Sequence, residues 1–151
     1  MKHIFYPPLY DLFKNYCNSG PKYDGRKLSL NSNSEKVYSR VYFQTYCLPS
    51  FNYYHQLFYK DGVKTIPINI MELLTARGLA YWAMDSGSKK GSGFIFCTDS
   101  YTLEDVQLLV KVLRDKFNLD ATIQIGSNSK NYRIYIKADS MDNFRKLLSI
   151  H

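Results

Sequence analysis

The sequence predicts an α+β protein in which antiparallel hairpins pack on helices. Two observations carry this. The order helix–hairpin–helix occupies roughly residues 8–60 and recurs over roughly 102–150. Between these segments the apolar period switches from the i, i+3, i+4, i+7 spacing of a helix to the alternation of a half-buried strand. A chain of 151 residues is long enough for one domain with a real core.

The elements follow in order. In PPLYDLFKNYC (7–17), Leu9, Leu12, Phe13 and Tyr16 fall on one helical face, with Pro8 suited to a first turn. NSGPKYDG (18–25) reads as a loop. KLSLN (27–31) and KVYSRVYFQTY (36–46) alternate and read as a hairpin joined by polar SNSE. LPSFNYYHQLFYK (48–60) spaces Phe51, Tyr54, Leu57 and Phe58 for a helix, and DGVKTIPIN (61–69) is a connector. A further helix starts near Thr75, a candidate N-cap, and stops at Gly87. SGSKKGSG (86–93) is a turn, and GFIFCTDS (93–100) a strand. TLEDVQLLVKVLRDKF (102–117) carries one apolar stripe, with Thr102 and Asp105 as a candidate capping box. ATIQIG (121–126) and NYRIYIKA (131–138) form a second hairpin, and SMDNFRKLLSI (140–150) a last helix capped by Ser140. Only the second copy of the repeat has front matter, a helix and a strand pair around KKGSG. Half of a pseudo-symmetric architecture therefore lacks its beginning.

Composition narrows the function. Net charge is +7, with Lys and Arg spread along the chain, as suits a folded basic surface facing a polyanion; a merely soluble basic protein is the alternative. Cys17, Cys47 and Cys97 form no ligand spacing, which argues against a disulfide scaffold or zinc site and fits a reducing compartment. No apolar run reaches membrane-spanning length, so no membrane partner is expected. MKHIFYPPLY lacks a leader pattern, so either no targeting sequence is present or the protein is made where it works. The 14 Tyr, with many Asn, Lys, Ile and Phe, match an AT-rich genome such as an organelle's. His3, His55 and His151 lie far apart and suggest no ligand set.

The stretch LLTARGLAYWAMDSGSKKGSGFIFCTDSYTLEDVQLLVKVLRDKFNLDATIQI, followed by NYRIYIKADSMDNFRKLLSI, resembles LAGLIDADG homing endonucleases of the organellar intron type. LPSFNYYHQLFYKDGVKTIPINI upstream is similar to the same subgroup, so the resemblance covers nearly the whole chain. It implies a saddle of two αββαββα halves that lay their sheets along the DNA major groove, with two motif helices side by side at the centre. Each helix tip presents one carboxylate to divalent metal, because hard Mg²⁺ takes oxygen ligands beside the scissile phosphate. On this reading residues 1–62 are an incomplete N-terminal half lacking its motif helix and opening hairpin, 63–73 a linker and 74–151 a C-terminal half.

The motif helix is then Leu79, Ala80, Tyr81, Trp82, Ala83, Met84, Asp85, Ser86 and Gly87. The resemblance places the metal-binding acid at the eighth position, where this chain has Ser86. Asp85 sits about 100° round the helix and is either a cap-region acid or a relocated ligand. Lys64, in GVKTIP, looks like a family lysine of the central cluster; it either contacts phosphate or is a solvated loop charge. The small residues Ala76, Gly78, Ala80 and Ala83 suit close packing on a twin helix that this chain does not supply. Exposed Tyr81 and Trp82 would leave an apolar patch, so a second polypeptide, a second copy or RNA is expected to cover it.

On the polar side of the hairpins, Lys27, Ser29, Asn31, Lys36, Arg40, Gln44, Gln124, Arg133 and Lys137, with Lys89 and Lys90 in the KKGSG turn, are candidates for nucleic acid, either RNA or double-stranded DNA. Tyr23, Tyr38, Tyr42, Tyr46 and Tyr132 are candidates for stacking on unpaired bases, or are ordinary strand residues. The reading is thus a degenerate, non-cleaving nucleic-acid-binding protein without a cofactor, maturase-like or part of a ribonucleoprotein such as an organellar ribosome. The alternative is an active endonuclease using Mg²⁺, working as a dimer or with a partner half and drawing on Asp85. A mitochondrial or other organellar origin is expected.

Overall fold

The computed structural model describes residues 6–30, 34–126 and 131–149, with side chains for all but 6–8 and 25–40. The chain divides into two compact units, residues 1–51 and 52–151.

In the first unit, α1 (Tyr6–Phe13) runs into a 3-10 turn over Lys14–Tyr16. β1 (Lys22–Leu30) and β2 (Ser34–Tyr42) form an antiparallel hairpin with Lys22 opposite Tyr42. β1 thus begins inside the segment expected to be a loop. Pro21 precedes the ladder and needs no amide there, and pairing overrides the weak strand propensity of Asp24 and Gly25. β2 stops before the expected Tyr46. Phe43 packs on Tyr10 and Phe13, and the chain beyond it bridges back at Cys17 and Thr45, where the Tyr46 amide donates to the Tyr16 carbonyl at 2.7 Å. Aromatic contact wins over the four further strand residues expected, 43–46.

The second unit opens with α2 (Asn52–Phe58), then the short hairpin β3 (Tyr59–Lys60) and β4 (Val63–Lys64). The connector expected here is therefore ordered. Asp61 and Gly62 have φ of 50° and 76°, the left-handed pair of a two-residue hairpin turn. Ile66 and Ile70, in the stretch expected to be a linker, are buried in the core, and α3 (Ile70–Leu73) leads on to α4 (Ala76–Ser86).

The remainder is α4, β5 (Gly87–Lys90), β6 (Gly93–Cys97), α5 (Leu103–Asp115), β7 (Ala121–Ile125), β8 (Tyr132–Ile136) and α6 (Met141–Ser149). The strands make one antiparallel sheet in the order β5-β6-β8-β7. Its register puts Phe94, Phe96, Ile134, Ile136, Ala121 and Ile123 on one face, against the helices. Phe96, Phe144, Leu79, Leu113, Ile134 and Ile136 are almost wholly inaccessible, the transfer term that drives the unit together. The residues of opposite parity, among them Ser88, Lys90, Thr122, Gln124, Arg133 and Tyr135, form a polar second face.

Two caps work differently from expectation. Thr102 accepts from the Asp105 amide at 3.2 Å, but the Asp105 carboxylate accepts from Ile66 and Thr65 instead of closing a capping box. Ser140 ends a 3-10 turn and accepts the Asp120 amide at 2.7 Å, tying α6 to the start of β7. The helix expected to run to Phe117 ends by Lys116; Asn118 takes φ 52°, and Asn143 of α6 donates to the freed carbonyls of Phe117 and Asn118.

Candidate functional site

The tip of α4 is the first centre. Thr75 caps the helix start, its hydroxyl accepting the Gly78 amide at 3.1 Å. Leu79, Ala80 and Ala83 are buried, and Trp82 stacks on Phe96 with ring centroids 4.0 Å apart. This corrects the expected exposed patch: the indole belongs to the core, Tyr81 is half-buried, and Met84 is the apolar residue of α4 left in the open. Gly87 is not a left-handed stop. Its φ and ψ of −101° and 155° are extended, and its amide donates to the Ala83 carbonyl. Glycine is required there by space, since a Cβ would overlap the Phe94 ring and the Ala83 carbonyl oxygen.

At the tip, Asp85 is exposed and Ser86 half-buried. The Ser86 hydroxyl lies 3.4 Å from both the Trp82 carbonyl oxygen and the Asp85 carboxylate. Lys64, on β4, lies with its ammonium 4.9 Å from the centre of the Tyr101 ring. Its pKa is raised, first by the Tyr101 hydroxyl, with smaller contributions from the charges of Tyr59 and Asp85. Of the two residues that the family resemblance singled out, Lys64 is thus held chiefly by Tyr101. Asp105 secures this arrangement: its carboxylate accepts the Ile66 amide at 3.1 Å and the Thr65 hydroxyl at 3.3 Å, fixing the chain beside Lys64. Tyr101 carries no local sequence signal for this role, and the spacing of Asp105 from Thr102 is equally that of a capping box.

The tip does not fit a self-sufficient divalent-metal site. It offers one carboxylate and a neutral hydroxyl already within reach of a backbone carbonyl. Hard Mg²⁺ needs several oxygens. Among the described residues, no three His, Cys, Asp or Glu side chains gather where an ion could sit.

The polar face of the sheet is the second centre. Arg133 forks onto Asp99, Nε donating to Oδ1 at 2.8 Å and Nη2 to Oδ2 at 2.7 Å. The guanidinium holds the Asp99 carboxyl below its usual range, and the carboxylate in turn raises Arg133. Lys90 donates to Gln124 at 2.6 Å, and Lys137 pairs with Asp120 at 2.8 Å. These four candidate contacts thus have partners within the protein. Lys89 separates from them: it pairs with Phe94 and has the parity of the helix-packed face. Tyr132 packs against the core, and Cys97 stands exposed opposite Arg133.

In the first unit the register divides the candidates expected to share a side. Lys36 and Arg40 fall in step with Lys22, Asp24 and Arg26, whereas Lys27 and Ser29 fall in step with Val37, Ser39 and Val41. Gln44 lies beyond β2, and Asn31 lies outside the described residues. Of the stacking candidates, Tyr23, Tyr42 and Tyr46 are exposed, Tyr23 the most at 73%.

A helix layer behind a four-stranded antiparallel sheet whose second face is polar defines a mixed α+β class of protein. A solved structure similar to it is the homing endonuclease I-WcaI bound to its DNA recognition sequence, at TM-score 0.79 and 26% identity over 95% of this chain and 64% of that one. The chain belongs to the LAGLIDADG DNA endonuclease family, whose model matches residues 2–144. Among its relatives, intron-encoded endonuclease ai4 of Dictyostelium discoideum is 38% identical over 144 residues, 93% of this chain and 90% of the relative. Cytochrome b mRNA maturase bI2 of Debaryomyces hansenii is 34% identical over 127 residues, 83% of this chain and 47% of that protein. Among the described residues, no helix is long and apolar enough to cross a membrane.

Proposed function

We infer that this protein binds nucleic acid without cutting it, and that its ligand is RNA, in a maturase-like role or as a structural part of an organellar ribonucleoprotein. The single observation that carries the reading is at the α4 tip: Ser86 stands where the motif places its metal-binding acid, its hydroxyl within reach of the Trp82 carbonyl. Asp85, the acid of α4, lies exposed with its carboxylate 3.4 Å from the Ser86 hydroxyl. The maturase relative supports an RNA ligand, and the net charge of +7 supports a polyanion. The sheet face with Arg133, Lys90 and Gln124 is the surface we assign to it. Relatives that are intron-encoded support an organellar origin. Exposed Met84 on α4 supports a second polypeptide, a second copy or RNA packed along the motif helix.

The 38% identity to a relative named as an endonuclease, nine-tenths of which this chain spans, favours one second reading. In it, the protein cuts DNA with Mg²⁺ as a dimer or beside a separate half that supplies the missing acid. The test incubates purified protein with DNA carrying the uninterrupted insertion site of its own intron, with Mg²⁺, and in parallel with the transcribed intron. Salt-dependent RNA binding without strand cleavage is expected. Specific cleavage that Asp85→Asn abolishes establishes the second reading.

A further inference from the structure

We propose that Asp99 is the positioning residue of a guanine-reading pair: it holds Arg133 so that the free edge of the guanidinium meets the O6 and N7 acceptors of one guanine. This rests on the nucleic-acid-binding reading above. The contact is a side-on fork, Nε to Oδ1 and Nη2 to Oδ2, at 2.8 and 2.7 Å. A guanidinium carries its five N–H groups in fixed directions. The fork uses one edge and leaves the parallel N–H pair of Nη1 and Nη2, the pair that matches the two adjacent acceptors of guanine.

The surroundings fix both partners. Arg133 is in β8, between Gln124 of β7 and Cys97 of β6, on the face away from the helices. Asp99 is in the turn before α5, and that turn is tied to the next strand over. The buried Thr98 hydroxyl donates to the Tyr132 carbonyl at 2.5 Å, and the Tyr101 amide donates to the Thr98 carbonyl. The carboxylate therefore approaches Arg133 from a rigid support. The side chains remain 39% and 35% exposed, which leaves the free edge open to a ligand. An acid placed on a face that meets phosphates lowers general affinity; one that orients an arginine converts that loss into base choice.

The guanine edge comes from either of two sources, the major groove of duplex DNA or an unpaired guanine in an RNA loop. The experiment selects ligands for the full-length protein from a randomised duplex DNA pool and from a randomised RNA hairpin pool. The affinity of every single-base variant of each winner is then measured. The wild type is expected to prefer guanine at one position by about tenfold. Asp99→Ala and Arg133→Lys should each reduce that preference to within about twofold and leave the other positions discriminated as before. The pool in which this occurs identifies the source. The fluorescence of Trp82, stacked on Phe96, confirms that the variants are folded. If Asp99→Ala keeps the guanine preference and binds every sequence more tightly, Asp99 only offsets charge and the proposal is overturned, while the nucleic-acid reading stands. If the wild type binds neither pool, both are overturned.

Discussion

Asp105→Ala tests how the centre is held together. Ile66 is buried, and its amide has the Asp105 carboxylate as partner at 3.1 Å. Removing the carboxylate strands that amide, which costs about 1–3 kcal/mol. It also removes an acid from the first turn of α5, worth about 0.3–1 kcal/mol. The sum is about 1.3–4 kcal/mol, centred near 2.5 kcal/mol. Asp105→Asn keeps an acceptor oxygen and should cost only about 1 kcal/mol. The assay is urea unfolding followed by Trp82 fluorescence, which reports on the same unit because the indole stacks on Phe96. With a slope near 2 kcal/mol per molar urea, the Ala midpoint should fall by about 1 M and the Asn midpoint by about half as much. Hydrogen exchange should show the Ile66 amide unprotected in the Ala variant alone. An Ala variant no less stable than the Asn variant, or an Ile66 amide that stays protected, refutes the account of Asp105 as the anchor of the Lys64 segment.

Three other perturbations separate the remaining causes. Ser86→Asp restores a second carboxylate at the α4 tip; for a site of roughly 1 mM affinity, about 10 mM Mg²⁺ should add about 1.4 kcal/mol, a few degrees in thermal midpoint, to the variant and nothing to the wild type. An equal Mg²⁺ response in the wild type would show that the metal needs no acid at that position. Gly87→Ala should destabilise by about 3 kcal/mol in the same urea assay, because neither the Phe94 ring nor the Ala83 carbonyl can clear a Cβ; a neutral result means the ring moves aside. The Lys64 pKa lies above its ordinary 10.5, so its contribution is complete below that pH and fades as pH rises through the folded value. Tyr101→Phe keeps the ring and removes the hydroxyl, so the Lys64 side-chain titration seen by NMR should move down; no movement means the hydroxyl is not the cause.

Local pattern determined a good deal. The stripe from Leu103 to Phe117, the cap at Thr75 and the alternation in 121–125 and 132–136 each depend on neighbours within a few residues, so the sequence placed those elements closely. The family was also legible in the sequence, and its model matches residues 2–144. Where a segment departs from expectation, a distant partner decides it. β1 extends back to Lys22 because β2 is there to pair with it, and Phe43 leaves β2 because Tyr10 and Phe13 offer a better place.

The site shows the same division. From the sequence alone came the candidates Lys64, Asp85 and Arg133, because their residue types carry charge and stand in motifs or strands. The groups that hold Lys64 and Arg133, Tyr101 and Asp99, and the Asp105 carboxylate that binds Thr65 and Ile66 next to Lys64, were not separable from other turn and cap residues, since each contact spans 34 to 40 positions of chain. Sheet register, which moves a residue to the other face with a shift of one, set Lys89 apart from Lys90 and Lys27 apart from Lys36. The sequence by itself thus determined the family and the long helices α4, α5 and α6, written in short-range pattern. Tertiary structure alone decided which charges meet, because chain distant in sequence must first be folded against them.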